Sequence, residues 1–369
     1  MIYFLINNNY QYFDFELHLS DINRRDVSLI EIPHTLDERE HSGFRSVFRY
    51  LLASKKSLIA QVHNFIQLTK HIDREIQPTK NDVIFFYTEY ELLNQYIVVR
   101  FKNAGAKAYL IEDGGLTGTY LPFRMIESET LCIREKVKEW IYKRLPNLGT
   151  LRLHKVNGQI IPWMADTYID GVCLYRPISI RRSIPTVLLQ RPMQPEVVPI
   201  QGRVVFLNEQ TYDCYQSSDD YLAGLRKIME SLCHGFDTVF FKYHPRETKE
   251  WRLRIMRYVL SRFSDLRIIE ENTAVEAIID RYRPSVAASY LSAGLHNLVN
   301  RGVEPLYLYH LIPDLSQQPI SREATTVLRE LGYNFVPSFS EVDSSFRSGL
   351  LGTSSYYEAI TLPELVGLK

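Results

Sequence analysis

The stretch "DVIFFYTEYELLNQYIVVRFKNAGAKAYLIED" (Asp82 to Asp113) decides the fold. "DVIFFYTEY" (82–90) is an apolar run rich in β-branched and aromatic residues, which reads as a buried strand. "LLNQYIVVRFKNAG" (92–105) reads as a helix closed by glycine, the residue that most readily takes the left-handed conformation at a helix end. "KAYLIED" (107–113) is a second strand. Two buried strands joined through a helix imply a parallel pair with the helix packed on one face.

The same alternation extends outward in both directions. "IYFLINN" (2–8) and "DVSLIEIP" (26–33) read as strands, and "FRSVFRYLLASKKSLIAQVHNFIQL" (44–68) as a helix. "RPISIRRSIPTVLLQRPMQPEVVPIQG" (176–202) breaks the rhythm with five prolines and reads as a linker. Beyond it come the strand "RVVFLNEQ" (203–210) and a helix over 220–235 with Leu222, Leu225, Ile228, Met229 and Leu232 on one face. "TVFFKYH" (238–244) is the next strand, followed by a helix over Arg246–Phe263 with Pro245 at its first turn. "LRIIEE" (266–271), a helix from Thr273, "SVAAS" (285–289), a helix from Ser292 and "PLYLYH" (305–310) complete the series. The expected architecture is α/β, with two doubly wound, Rossmann-like domains and a cleft between them. The N-terminal domain covers 1–185 and the C-terminal domain 203–345, and a tail over 346–369 packs back on the first.

Composition narrows the class. With 43 Lys and Arg against 43 Asp and Glu, the chain carries no formal net charge, which argues against a nucleic-acid binder. The four cysteines (Cys132, Cys173, Cys214, Cys233) form no Cys-x-x-Cys and suit a reducing cytoplasm. The opening "MIYFLINNNYQYFDFE" lacks a basic region and reads as a strand rather than a signal peptide, and no uncharged run is long enough to span a membrane. "IREKVKEWIYKRL" (133–145) and "LRLHK" (151–155) gather basic residues around Trp140, a candidate for peripheral docking on an anionic membrane face.

Three motifs end strands. "LIEDGGLTGTY" (110–120) places Glu112 and Asp113 at a sheet edge ahead of a turn through Gly114 and Gly115. Adjacent carboxylates repel, which would raise one pKa and suit a general base. His244-Pro245 ends the strand over 238–244 and places an imidazole near a helix start, where anions bind. "SVAASYLSAGLHNLVNRG" (285–302) offers the hydroxyls of Ser289 and Ser292 at another helix start. Separately, each also fits a solvated turn, a turn histidine or an N-cap. Together they supply a base on one domain and charge compensation for a departing phosphate on the other.

The order "EDG" (112–114), "HP" (244–245) and "LSAG" (291–294) resembles the bacterial sialyltransferases, which share an acidic-acidic-Gly, a His-Pro and a Ser-Ser/Thr motif. Ala293 departs from the third motif, leaving Ser292 alone or sharing the role with Ser289. "NTAVEAII" (272–279) is similar to the family segment that brings a glutamate, here Glu276, to the ribose. The resemblance implies a GT-B fold, a CMP-sialic acid donor and no required metal or other cofactor. It implies one inverting displacement onto a glycan hydroxyl, such as a galactoside of a surface polysaccharide, lipooligosaccharide or O-antigen. Glu112 or Asp113 would be the base and His244, as imidazolium, would meet the leaving phosphate. CMP would lie around Asn208, Pro245, Glu276, Ser289 and Ser292. A CDP-polyol phosphotransferase and a Kdo transferase are the rival enzymes, and a glycan-binding GT-B-like module is the non-enzymatic rival.

Overall fold

The computed structural model describes residues 1–19, 22–51, 58–89, 91–113, 166–175, 184–190, 197–213, 217–271, 273–292, 294–295, 298, 301–317, 321, 325, 328 and 360–367. The chain forms two units. One gathers Met1–Asp113, Thr117–Pro192 and Tyr356–Lys369, and the other is built on Met193–Ser355.

In the first unit, β1 (Ile2–Asn8), β2 (Val27–Thr35), β3 (Ser46–Arg49), β4 (Val83–Phe86), β5 (Lys107–Ile111), β6 (Gly171–Leu174) and β7 (Thr186–Leu188) make one sheet. Its order is β3-β2-β1-β4-β5-β6-β7, and the paired strands are all parallel. The helices are α1 (Asn9–His18), α2 (Leu58–Glu75) and α3 (Leu92–Asn103). Leaving β1, the chain builds outward through β2 and β3 and then returns to β4 on β1's other side. That reversal puts a topological switch point between the carboxyl ends of β1 and β4, where such sheets bind ligands.

The strand runs are apolar because both faces are covered. Phe4 stacks on Phe85 with centroids 5.2 Å apart, and Phe85 on Tyr109 at 5.6 Å. Full burial of such a side chain contributes about 1.5–3 kcal/mol. Gly105, at φ +81, closes α3, and a Cβ there would meet the Lys80 Cβ at 3.3 Å. The expected helix over 44–68 is divided. Ser46–Arg49 is an edge strand in register with Ser28–Glu31 of β2, and the helix begins at Leu58 and runs on to Glu75. Val47 and Phe48 are strand-forming residue types, and pairing with the neighbouring edge of β2 prevails over the helical continuity of the apolar run.

The second unit repeats the architecture with β8 (Ile200–Leu207), β9 (Thr238–Lys242), β10 (Leu266–Ile269), β11 (Pro284–Ser289) and β12 (Glu304–Tyr307), in the order β10-β9-β8-β11-β12. Its helices include α4 (Ser218–Gly235), α5 (Lys249–Tyr258) and α6 (Val275–Tyr282). Ser217 caps α4 by accepting from the Asp220 N–H, and Leu225, Ile228, Met229 and Leu232 are buried along its inner face. The switch point here lies between β8 and β11. A short helix near the C-terminus, α7 (Leu362–Leu365), carries a capping box between Thr361 and Glu364 and buries Leu362 in the first unit's core. Among the described residues, no helix is long and apolar enough to cross a membrane.

Candidate functional site

In the first unit, the switch point is filled by paired polar side chains rather than apolar ones. Asn8 caps α1 by accepting from the Gln11 N–H at 2.9 Å. The Asn7 N–H donates to Gln11 Oε1 at 2.7 Å. That contact fixes the orientation of the Gln11 amide. Its Nε2 then donates to Thr88 Oγ1 at 2.9 Å and to Asp113 Oδ2 at 2.7 Å, and the Thr88 hydroxyl donates to the same Oδ2 at 3.2 Å. Asn94 donates to Asn7 Oδ1 at 2.8 Å and to the Thr88 carbonyl at 2.8 Å, locking the β1 and β4 ends together. Asp113 is half-buried, whereas Gln11, Thr88 and Asn94 are all buried.

The two adjacent carboxylates separate in role. Glu112 is 2% exposed, and its Oε2 accepts from the Tyr175 N–H at 2.8 Å. The Tyr175 hydroxyl donates to the buried Asp14 and lies 2.7 Å from His18 Nε2. Asp14 also accepts from the Tyr87 hydroxyl at 3.0 Å. Burial, followed by the nearby Asp14, holds the Tyr87 phenol well above its usual pKa. Glu112 is thus anchored inside the unit, while Asp113 stands at the edge with its charge braced by two donors. Gly114, Gly115 and the basic stretch over 133–155 lie outside the described residues.

In the second unit, the His-Pro motif forms a turn. The Glu247 N–H donates to the His244 carbonyl at 3.0 Å, and Pro245 and Arg246 occupy the exposed corner. Helix α5 starts only at Lys249, capped by Thr248, so Pro245 is not in its first turn as expected; proline's fixed φ serves the tight turn instead. Glu247 Oε2 accepts from the His244 N–H at 3.0 Å. Its Oε1 accepts from Asn208 Nδ2 at 2.6 Å, and that same nitrogen donates to the Tyr221 hydroxyl at 2.7 Å. Asn208, expected as a CMP ligand, therefore spends its donors on bracing the His244 turn.

The imidazole itself is half-buried. Burial, with Arg246 and Lys242 nearby, lowers it from 6.5 to about 4. Nδ1 accepts from the Arg246 N–H at 3.3 Å, which places the proton of the neutral ring on Nε2. The expected imidazolium is therefore a neutral Nε2–H donor in the free protein. Burial also lowers Lys242 to about 8, with Arg252 adding to the shift.

At the other side of this switch point, Ser289 is fully buried and lies within hydrogen-bonding distance of both the Leu207 carbonyl (2.6 Å) and Glu209 Oε1 (2.7 Å). Ser292 is only half-buried, and its Oγ accepts from the Gly294 N–H at 3.3 Å. Of the two hydroxyls, Ser292 is the one open to a ligand. Glu276 is fully buried in the first turn of α6, where Arg301 donates to its backbone carbonyl at 3.1 Å. A Cβ on Gly294 would meet Val275 Cγ1 at 3.3 Å, so the serine turn sits against the start of α6. Among the described residues, no three His, Cys, Asp or Glu side chains are grouped to hold a metal ion.

Sequence reasoning missed Gln11, Thr88, Tyr175, Glu209 and Glu247. Only Glu247 had a local signal, standing three residues after His244 at the closing position of a turn.

The alpha-2,8-polysialyltransferase family model matches residues 17–297, a span that contains every motif residue named above. No curated protein matches the sequence. Among solved structures, the GT-B domain of a sialyltransferase from Photobacterium damselae is similar at TM-score 0.50 and 13% identity, covering 93% of this chain and 98% of that one. An alpha/beta-galactoside alpha-2,3-sialyltransferase from Photobacterium phosphoreum gives 0.49 at 13% identity, over 92% and 98%. A UDP-GlcNAc 2-epimerase from Neisseria meningitidis gives 0.48 at 9% identity, over 94% and 90%. At such identities the likeness speaks to fold, and the fold is GT-B, with two Rossmann-like domains.

Proposed function

The chain belongs to the alpha-2,8-polysialyltransferase family, and from that premise we propose that it moves sialic acid from CMP-sialic acid to a hydroxyl of a sialic-acid-terminated glycan. As a sialyltransferase it takes a nucleotide-sugar donor and a glycan acceptor. The choice of CMP as carrier and of a sialoside over a galactoside as acceptor is our reading, supported by the family match and by the three motifs inside it.

The reaction is one displacement. The acceptor oxygen attacks the anomeric carbon, the bond from that carbon to the phosphate oxygen breaks with its electron pair going to CMP, and the configuration inverts. Asp113 takes the acceptor proton. The observation that carries this reading is the Asp113 carboxylate itself, half-buried at a strand end and held by Gln11 and Thr88. A base must reach its proton, and Glu112, at 2% exposure and bound to Tyr175, does not satisfy that condition.

On the second unit, the His244 Nε2–H donates to the leaving phosphate. An arriving phosphate favours the protonated ring, so His244 becomes imidazolium as the donor binds and can pass its proton to the departing oxygen. Ser292, half-buried beside the switch point, holds the phosphate. The resemblance assigns the ribose to Glu276, and because that carboxyl is fully buried at the start of α6, the first turn of α6 must open for it to reach a ligand. Charge compensation comes from these protein groups, and no metal is required.

The test is acceptor-dependent CMP release from CMP-sialic acid with oligosialosides and galactosides, with and without EDTA. Release with oligosialosides, unchanged in EDTA, is expected. No acceptor-dependent release overturns the donor reading, galactoside-only transfer overturns the acceptor reading, and loss in EDTA restored by Mg²⁺ overturns the metal-free one.

A further inference from the structure

Glu209 follows Asn208 at the carboxyl end of β8 and has no part in the displacement described above. Its Oε1 accepts from the Leu291 N–H at 2.9 Å and lies 2.7 Å from the Ser289 hydroxyl, whose one proton it shares with the Leu207 carbonyl. One carboxylate oxygen therefore ties the chain leaving β11 to the chain leaving β8, across the switch point where such sheets bind ligands. Tyr290, between the two contacts, has no exposed surface and packs edge-on against Phe206 at 5.7 Å. The pinned segment runs directly into Ser292 and Gly294. Gly294 has no slack either, since Val275 closes on it from the start of α6. The carboxyl is held there at a cost: burial pushes Glu209 up to about 7, against the lowering effect of its two hydrogen bonds. Glu209 is half-buried, and a carboxyl with a raised pKa pinned between two strand ends calls for a purpose beyond packing.

We infer that Glu209 is a positioning residue of the donor site, setting Ser289 to Ser292 for the nucleotide through the Leu291 N–H and the Ser289 hydroxyl without touching the donor. The inference rests on the reading that the second unit binds CMP. Its essential feature is an acceptor atom at Oε1, which glutamine retains and alanine does not.

The experiment is calorimetric titration of the full chain with CMP, together with initial rates, for wild type, Glu209→Gln, Glu209→Ala and Ser289→Ala. Glu209→Gln should bind CMP within about twofold of wild type. Glu209→Ala should bind at least about tenfold more weakly and raise the donor KM in parallel, with kcat at saturating donor within about threefold. Ser289→Ala, which removes one of the two contacts, should fall between them and tests the brace if the Glu209→Ala chain does not fold. A folded Glu209→Ala chain that binds CMP like wild type overturns the inference. So does a lowered kcat at unchanged KM, which would indicate direct chemistry, or a Gln variant as impaired as the Ala variant. Failure of the wild type to bind CMP would instead overturn the underlying donor reading.

Discussion

The two sheets carry comparable switch points with opposite electrostatics. In the first unit, donors converge on an acid: Gln11 Nε2 and the Thr88 hydroxyl both point at Asp113 Oδ2. In the second, the backbone of His244 is held by Glu247 while the half-buried ring, with Arg246 and Lys242 nearby, is kept neutral, at about 4. One site supports a charge and the other withholds one. The difference follows from the order of events in a displacement. A base must be ionised before the acceptor arrives, whereas a phosphate-facing histidine gains from being charged only once the phosphate is present. Preorganised groups of this kind supply much of an enzyme's rate enhancement.

The sharpest way to break this comparison is to neutralise the braced acid. Asp113→Asn should lower transfer by about 10³-fold or more, at the upper end of what a general base contributes, and CMP titration should be unchanged. Glu112→Gln should lose less turnover but melt earlier, because it puts an amide NH2 where a buried carboxyl oxygen accepts from the Tyr175 N–H. If Glu112→Gln proves the more damaging to kcat, the roles of the two carboxylates are reversed.

On the opposite unit, His244→Ala should lower turnover by about 10²-fold, the usual loss when one stabilising donor is removed. Above about pH 7 its circular dichroism and melting curve should match wild type, because there the ring is neutral folded and unfolded and its hydrogen bond is to the nearby Arg246 N–H. Near-normal turnover would make His244 a turn residue and leave the second switch point without a proton donor.

Gln11→Ala isolates the brace from the base. Asp113 keeps Thr88 but loses the shorter of its two contacts, so kcat should fall at least about tenfold, the lower end of the about 1.5–3 kcal/mol of a hydrogen bond to a charged group. Donor KM should be unchanged, which a rise would contradict.

How far these sites were legible follows from where their partners come from. The strands announced themselves as apolar runs, because a sheet covered on both faces needs nothing else, and the acidic, histidine and serine residues stood at the ends of those runs. Gln11 reaches Asp113 only after β1, β4 and β5 are laid side by side, a register that no local spacing encodes. Tyr175 and Glu112 likewise meet through the pairing of β5 with β6. Asn208 and Ser289 were visible as polar residues at strand ends, but not their use as internal braces, because a strand-end polar residue looks the same whether it faces a ligand or a neighbouring loop. The stretch over 44–68 reads as one helix from sequence because only pairing with the edge of β2 turns Ser46–Arg49 into a strand.

The smallest expected effect is on stability against pH, where the two switch-point groups of the second unit pull in opposite directions. His244 lies at about 4 in the folded chain against an ordinary value of 6.5. Below 6.5 the unfolded chain takes up a proton that the folded one refuses, so this group's contribution is complete above 6.5 and is lost as pH falls towards 4. Glu209 lies at about 7 against an ordinary 4.5, so its contribution is complete below 4.5 and is lost as pH rises through 7. In thermal melts across pH 4 to 8, His244→Gln should therefore flatten the acid limb, and Glu209→Gln should flatten the loss between 4.5 and 7, each by on the order of 2–4 °C. His310, also lowered to about 4 by burial, keeps part of the acid limb in either variant. Adding CMP should undo the His244 effect in the wild type, since the phosphate raises the ring's affinity for a proton. The CMP-induced rise in melting temperature should then be larger at about pH 6 than at about pH 8, and His244→Gln should remove that difference. A CMP effect independent of pH in the wild type would mean that the ring stays neutral throughout and acts only as a hydrogen-bond donor.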